Sequence, residues 1–264
     1  MLSLKRKLVI LTTGFLAACL LTICTGVMEI RAAEQGPLSR AASEALTHDA
    51  AADAVFQQMT LELKEVGACN IIQADDLVMK AVSDKFDIYF LGELYGALQW
   101  NLPGYVIRQY QTRPHSTLEK EVAKHYAAQK MIRDIVAGCP FKEPIQQVLY
   151  FHDYLCEHVD YDLGGLAREK NGGRSVNRSV YDTLTTGYGV CDGYARTMYA
   201  LCSEAGIPVR YIRGRTAVQA NHAWNEVLIG GQWWIVDVTN DDLQSGRVYT
   251  NFLTPVNYVP EVNL

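Results

Sequence analysis

Three side chains in the second half of the chain could together perform nucleophilic acyl chemistry: Cys191, His222 and Asp237. Cys191 lies in GYGVCDGYARTMYALC, residues 187–202, just after two glycines and where a helical pattern begins. Gly187 and Gly189 let the backbone turn tightly and approach a substrate. The unpaired N–H groups and the dipole of a helix start favour the thiolate, which is the nucleophilic form. Asp192 works against this, because an adjacent negative charge raises a thiol pKa. A protonated histidine nearby is therefore required. A disulfide to Cys202 is excluded on a continuous helix, where the two would stand roughly 16 Å apart. The alternative reading of Cys191 is a buried core cysteine, a description that Cys202 fits better.

His222 opens the strand-like run HAWNEVLI, and Asp237 closes QWWIVD. Gly230-Gly231 between them is a hairpin signal. A two-residue loop pairs Ile229 with Gln232 and, continuing, Trp224 with Asp237. Side chains alternate faces along a strand. His222 then shares a face with Asp237, diagonally across the ladder and about 7–8 Å away at the backbone. A three-residue loop would shift the register and separate them. Taken singly, His222 is equally a half-buried strand histidine and Asp237 a strand-end carboxylate; the shared parity argues against both.

The elements that must position these residues follow from pattern. The segment 36–67 reads as a tether running into a helix that ends by Gly67, and 74–100 as largely helical. YVIRQYQ reads as a short strand. Residues 116–140 form a helix opened by the capping pattern Ser116-x-x-Glu119 and ended by Gly138 and Pro140. EPIQQVLYFHDYLCEHVDYD is another amphipathic helix. Residues 163–179 read as a polar, Gly-rich loop, VYDTLTTG as a short helix, and the Cys191 helix as carrying a broad apolar stripe. VRYIRG precedes the two hairpin strands.

GVCDGYARTMYALCSEAGIPVRYIRG, then HAWNEV, then WWIVDVT, resembles the transglutaminase-like superfamily, papain-related cysteine enzymes with a Cys-His-Asp triad. The resemblance covers about residues 145–241, and HVDYD (158–162) resembles the segment preceding the core in such proteins. It implies Cys191 as nucleophile, His222 as base and Asp237 as orienting acid. It implies an α+β fold, a papain/transglutaminase-like core with the Cys-bearing helix packed on an antiparallel sheet, plus a helical N-terminal region. The implied mechanism is attack of the Cys191 thiolate on an amide carbonyl, with the Cys191 N–H as oxyanion donor. The thioester then passes to water, giving a peptidase or amidase, or to an amine, giving acyl transfer. The implied partner is a protein or peptide substrate, cell-wall peptides among the candidates. The rival from another class is a non-catalytic module binding proteins or wall peptides with the same groove.

Other candidates are weaker. Asn225 faces away from His222 and reads as structural. Trp224, Trp233 and Trp234 could wall a groove, though strand tryptophans are commonly core. Tyr181 and Tyr188 lie near the nucleophile in sequence, and either could help the oxyanion. His152 and His158, six apart on a helix, do not share a face. Asn240, Asp241 and Asp242 lack calcium-loop spacing.

The chain has 264 residues, 49% hydrophobic and 20% charged, the composition of a globular protein. Its net charge is −5; residues 1–33 hold four basic side chains and one acidic, so the remainder carries −8. With no basic cluster, nucleic acid is excluded as a partner. MLSLKRK followed by the uncharged run 8–28 is an export signal. Its fate is a cleaved signal peptide, an uncleaved membrane anchor, or a lipoprotein modified at LAAC (16–19). Each places the body outside the cytoplasm, extracellular or envelope-associated. The expected organisation is 1–33 signal or anchor, 34–140 mainly helical, and 141–264 transglutaminase-like domain. Seven cysteines occur. Two lie in the signal, leaving an odd set, and no spacing suits zinc. No cofactor or metal is expected.

Overall fold

The computed structural model describes residues 40–66, 76–90, 94–101, 104–112, 118–172, 177–215, 219, 221–243 and 246–256. Residues 1–33, read above as an export signal, and Cys69 lie outside the described residues. Among the described residues, no helix is long and apolar enough to cross a membrane, and no group of side chains has metal-binding spacing.

Two helices, α1 (Arg40–Val66) and α2 (Asp76–Phe90), pack through Phe56, Met59, Leu63, Val78 and Val82. Phe56 meets Phe86 edge-on at 4.9 Å. Next comes an antiparallel hairpin, β1 (Leu94–Asn101) with β2 (Gly104–Thr112), bulged between Gly96 and Leu98. In the sequence, residues 74–100 read as largely helical, so β1 would continue the preceding helix. Its apolar residues fit either period, and Tyr95 and Trp100 are types favoured in strands; pairing with β2 decides for the strand.

The core forms around one helix. Helices α3 (Leu118–Ala137) and α4 (Pro144–His158) lead to the short strand β3 (Asp160–Tyr161), then α5 (Leu163–Lys170), α6 (Val180–Thr186) and the short strand β4 (Tyr188–Gly189). Helix α7 (Cys191–Glu204) follows, buried on every side from Gly193 to Cys202. A helix enclosed all round belongs at a domain centre. Tyr194, Met198, Leu201 and Cys202 meet Val148, Phe151 and Leu155 of α4 and Ala128 and Ile132 of α3. Full burial of Met198 or Leu201 is worth about 1.5–3 kcal/mol each. A buried cation ties this core to the first helices: Lys85 of α2 sits 2.7 Å from Asp53 and donates to the Tyr199 hydroxyl at 3.0 Å.

Helix α5 occupies part of the segment read as a loop. The Asp162 side chain caps it by accepting the Gly165 N–H at 2.7 Å, which offsets the helix-weakening Gly164-Gly165 pair.

The other layer is an antiparallel sheet in the order β10-β7-β6-β5, made of β5 (Val209–Gly214), β6 (His222–Ile229), β7 (Gln232–Val236) and β10 (Phe252–Pro255). Gly230 and Gly231, both at positive φ, make the two-residue turn. Ile229 pairs with Gln232 and Asn225 with Val236, the expected register. Asn225 Nδ2 clamps helix to sheet, donating to the carbonyls of Ala195 at 2.9 Å and Arg210 at 3.2 Å. A single turn, α8 (Val238–Asp241), and a small hairpin, β8 (Asp242–Leu243) with β9 (Gly246–Arg247), connect β7 to β10.

Candidate active site

Cys191 is the first residue of α7, half-buried. Two contacts set its position. Gly187 ends α6 in the left-handed conformation at φ 70°, with its N–H on the Thr183 carbonyl. Gly189 and Gly193 serve differently from the tight turn expected of Gly189: they let two backbones close on Thr183. A Cβ on Gly193 would lie 2.4 Å from Thr183 Oγ1, and one on Gly189 3.1 Å from Thr183 Cγ2. The Gly193 and Tyr194 N–H groups bond the Val190 carbonyl, so the N–H groups before them have no acceptor within the helix.

His222 begins β6 and is nearly buried, 4% exposed. Its Nε2 lies 2.7 Å from Asp237 Oδ2. Helix start and hairpin therefore bring Cys191, His222 and Asp237 to one place. Burial acts to lower the His222 pKa, but the hydrogen bonds to Asp237 and to the Cys191 sulfur outweigh it and raise the imidazole to about 9. The ring also stacks on Trp224, centroids 5.8 Å apart. Trp224 in turn lies under Gly214, where a Cβ would meet its ring at 2.8 Å.

Asp237 is itself held. As N-cap of α8 it accepts the Asn240 N–H at 3.2 Å, and Asn240 Nδ2 donates to Oδ2 at 2.7 Å. Asn240 Nδ2 also stands 3.4 Å from His222 Nε2. In the sequence Asn240 reads as a strand-end turn residue. The signal present was the spacing Asp237-x-x-Asn240, a capping pattern.

The Asp192 carboxylate is engaged by other side chains. Despite burial, hydrogen bonding from Tyr211 and the charges of Arg213 and Arg196 hold its carboxyl below the usual range. The Tyr211 hydroxyl and Arg213 Nε and Nη2 all reach Oδ1, while Arg178 Nε lies 3.4 Å from Oδ2. The charge feared as an obstacle is therefore neutralised locally. Arg196, fully buried, lies 4.6 Å over the Tyr211 ring.

A cavity of about 400 Å³ opens here, lined by Cys191, Asp192, Arg213, Gly214, Asn221 and His222, with Arg215 beside them. The arrangement offers a nucleophile at a helix start, a proton carrier at hydrogen-bonding distance and a carboxylate fixing the imidazole. His152 and His158 are elsewhere. His152 is wholly buried with Nε2 3.3 Å from Asp241 Oδ2, and His158 is exposed, stacked on Tyr154 at 4.0 Å.

Residues 129–238 match the model of the transglutaminase-like superfamily. Two curated relatives, kyphoscoliosis peptidase of Homo sapiens and of Mus musculus, are each 31% identical over 97 residues, 33% of this chain. The match spans only 14% of the length of either relative. Among solved structures, the chain is similar to a candidate cysteine protease from Cytophaga hutchinsonii, at 30% identity and TM-score 0.35, over 47% of this chain and 40% of that one. It is also similar to a TGase, at 15% identity and TM-score 0.39, over 74% and 52%. Residues 129–238 are thus similar to a transglutaminase-like domain, and the described residues combine helices with an antiparallel four-stranded sheet.

Proposed function

We propose that this chain is an exported cysteine enzyme that acts on amide bonds of proteins or peptides through a thioester on Cys191. The observation that carries this reading is the His222–Asp237 contact at 2.7 Å beside a thiol at a helix start. An imidazole raised to about 9 is protonated at neutral pH and can stand beside a thiolate.

The steps follow from the residues. The Cys191 thiolate attacks the amide carbonyl, and backbone N–H groups at the start of α7 receive the developing oxyanion. His222 gives its proton to the departing amine as the C–N bond breaks, leaving the thioester. Asp237, fixed by Asn240, holds the ring orientation throughout. Water, deprotonated by His222, releases an acid; a primary amine releases a new amide. Export rests on the basic start and uncharged run of residues 1–33.

The test is incubation with a peptide library, with and without a primary amine, read by mass spectrometry. Hydrolysis, deamidation and amine incorporation give three distinct mass changes, and all should vanish in Cys191→Ser. Iodoacetamide at neutral pH should label Cys191 ahead of Cys139 and Cys156. No selectivity and no mass change would leave a binding module in place of an enzyme.

A further inference from the structure

The cavity beside Cys191 departs from the charge of the body around it. The chain is acidic overall, at −5, yet this wall presents Arg213 and Arg215 against the single carboxylate of Asp192. That carboxylate is committed to Tyr211, Arg213 and Arg178. Asp237 is committed to His222 and Asn240. Arg178, further back, is matched by Glu169 through two contacts of 2.8 Å. Arg215 is exposed at the cavity, and Arg213 is 52% exposed. A ligand entering toward Cys191 therefore passes an excess of guanidinium charge.

We infer that the acyl donor carries a carboxylate next to the amide that meets Cys191, and that Arg215 recognises it, beside an Arg213 already paired with Asp192. This rests on the cysteine-enzyme reading above. Guanidinium groups pair with carboxylates through paired N–H donors, which gives orientation as well as attraction. A half-open cleft also concentrates the field and so the local anion. A lysine in the same place would be repelled. The carboxylate is either an Asp or Glu side chain or the end of a peptide.

Two alkylating agents of equal size and opposite suitability supply the test. The rate of Cys191 labelling by iodoacetate, divided by that for iodoacetamide and normalised to N-acetylcysteine, reads the field at the thiol. The imidazolium alone raises this ratio, so the informative quantity is its change in Arg215→Gln. Arg215 lies on the surface, so the variant keeps its fold, checked by circular dichroism. A fall of about threefold to tenfold, shrinking in high salt, is expected for one charge at this range. Peptides matched except for Glu→Gln beside the reacting residue, or for a free versus amidated C-terminus, then compete with iodoacetamide; the carboxylate whose loss weakens protection is the source. An unchanged ratio in Arg215→Gln, or equal protection by all peptides, overturns the inference while the enzyme stands. A thiol inert to both reagents removes the nucleophile and this inference together.

Discussion

On the cysteine-enzyme reading proposed above, His222 stays charged in a buried place and still releases its proton. Burial favours the neutral ring, and Asp237 with the Cys191 sulfur restores the cation, up to about pH 9. The alkaline limb of kcat/KM should therefore fall near pH 9. Asp237→Asn should move that limb toward the ordinary value and lower kcat roughly 10²–10⁴-fold. Cys191→Ser and His222→Ala should abolish turnover with unchanged circular dichroism. Cys202 is the control: it is fully buried, and burial pushes its thiol up. Cys202→Ser should lose about 1–3 kcal/mol in urea unfolding yet keep the turnover of the folded fraction. At this scale the sequence was most legible where parity decides, as in placing His222 beside Asp237. It was least legible for Asn240, which meets His222 and Asp237 from the turn beyond the strand, and for Tyr211 and Arg213, which reach Asp192 of α7 from β5.

At the scale of elements, the site depends on how closely α6 and α7 approach. Thr183 is fully buried and faces Gly193. Gly193→Ala should cost about 1–3 kcal/mol, because its methyl meets Thr183 Oγ1. Adding Thr183→Ala removes that atom, so the double mutant should recover most of the loss; a cycle of the four proteins measures the coupling. Simple additivity of the two losses would show that the contact does not set the spacing. The hairpin register was legible because Gly230-Gly231 prescribes an even loop. Helix α5 was not, because its cap at Asp162 acts against two glycines that usually mark a loop. Strand β1 was not, because its apolar spacing suits both periods and only its partner β2 selects one.

At the scale of the molecule, buried histidines of opposite behaviour set where the fold is most stable. Burial lowers the His125 imidazole to about 3, so its contribution is present above about pH 6.5 and is lost as pH falls. His222 and His152 behave in the reverse sense. Burial opposes the His152 cation, but hydrogen bonds to Asp153 and Asp241 outweigh it and raise its pKa. A raised imidazole stabilises fully below the unfolded value of about 6.5, and that stability is lost as pH rises through the folded value. Calorimetric Tm should therefore peak near pH 6–7 and decline on both sides. His152 makes the sharper case. It bridges Asp153, which also meets Arg247 at 3.4 Å and the Tyr249 hydroxyl at 3.3 Å, and Asp241, which holds the Asn251 N–H at 2.9 Å. Asp241 belongs to the turn that presents Asp237 and Asn240, so His152 anchors the site from behind through α4. His152→Leu leaves the buried Asp241 without its cation and should cost about 3–5 kcal/mol. It should also flatten the decline of Tm above pH 6.5, since one titrating group is gone. A Tm decline as steep as that of the parent protein would mean that His152 is neutral in the fold and that its two carboxylate contacts are ordinary hydrogen bonds.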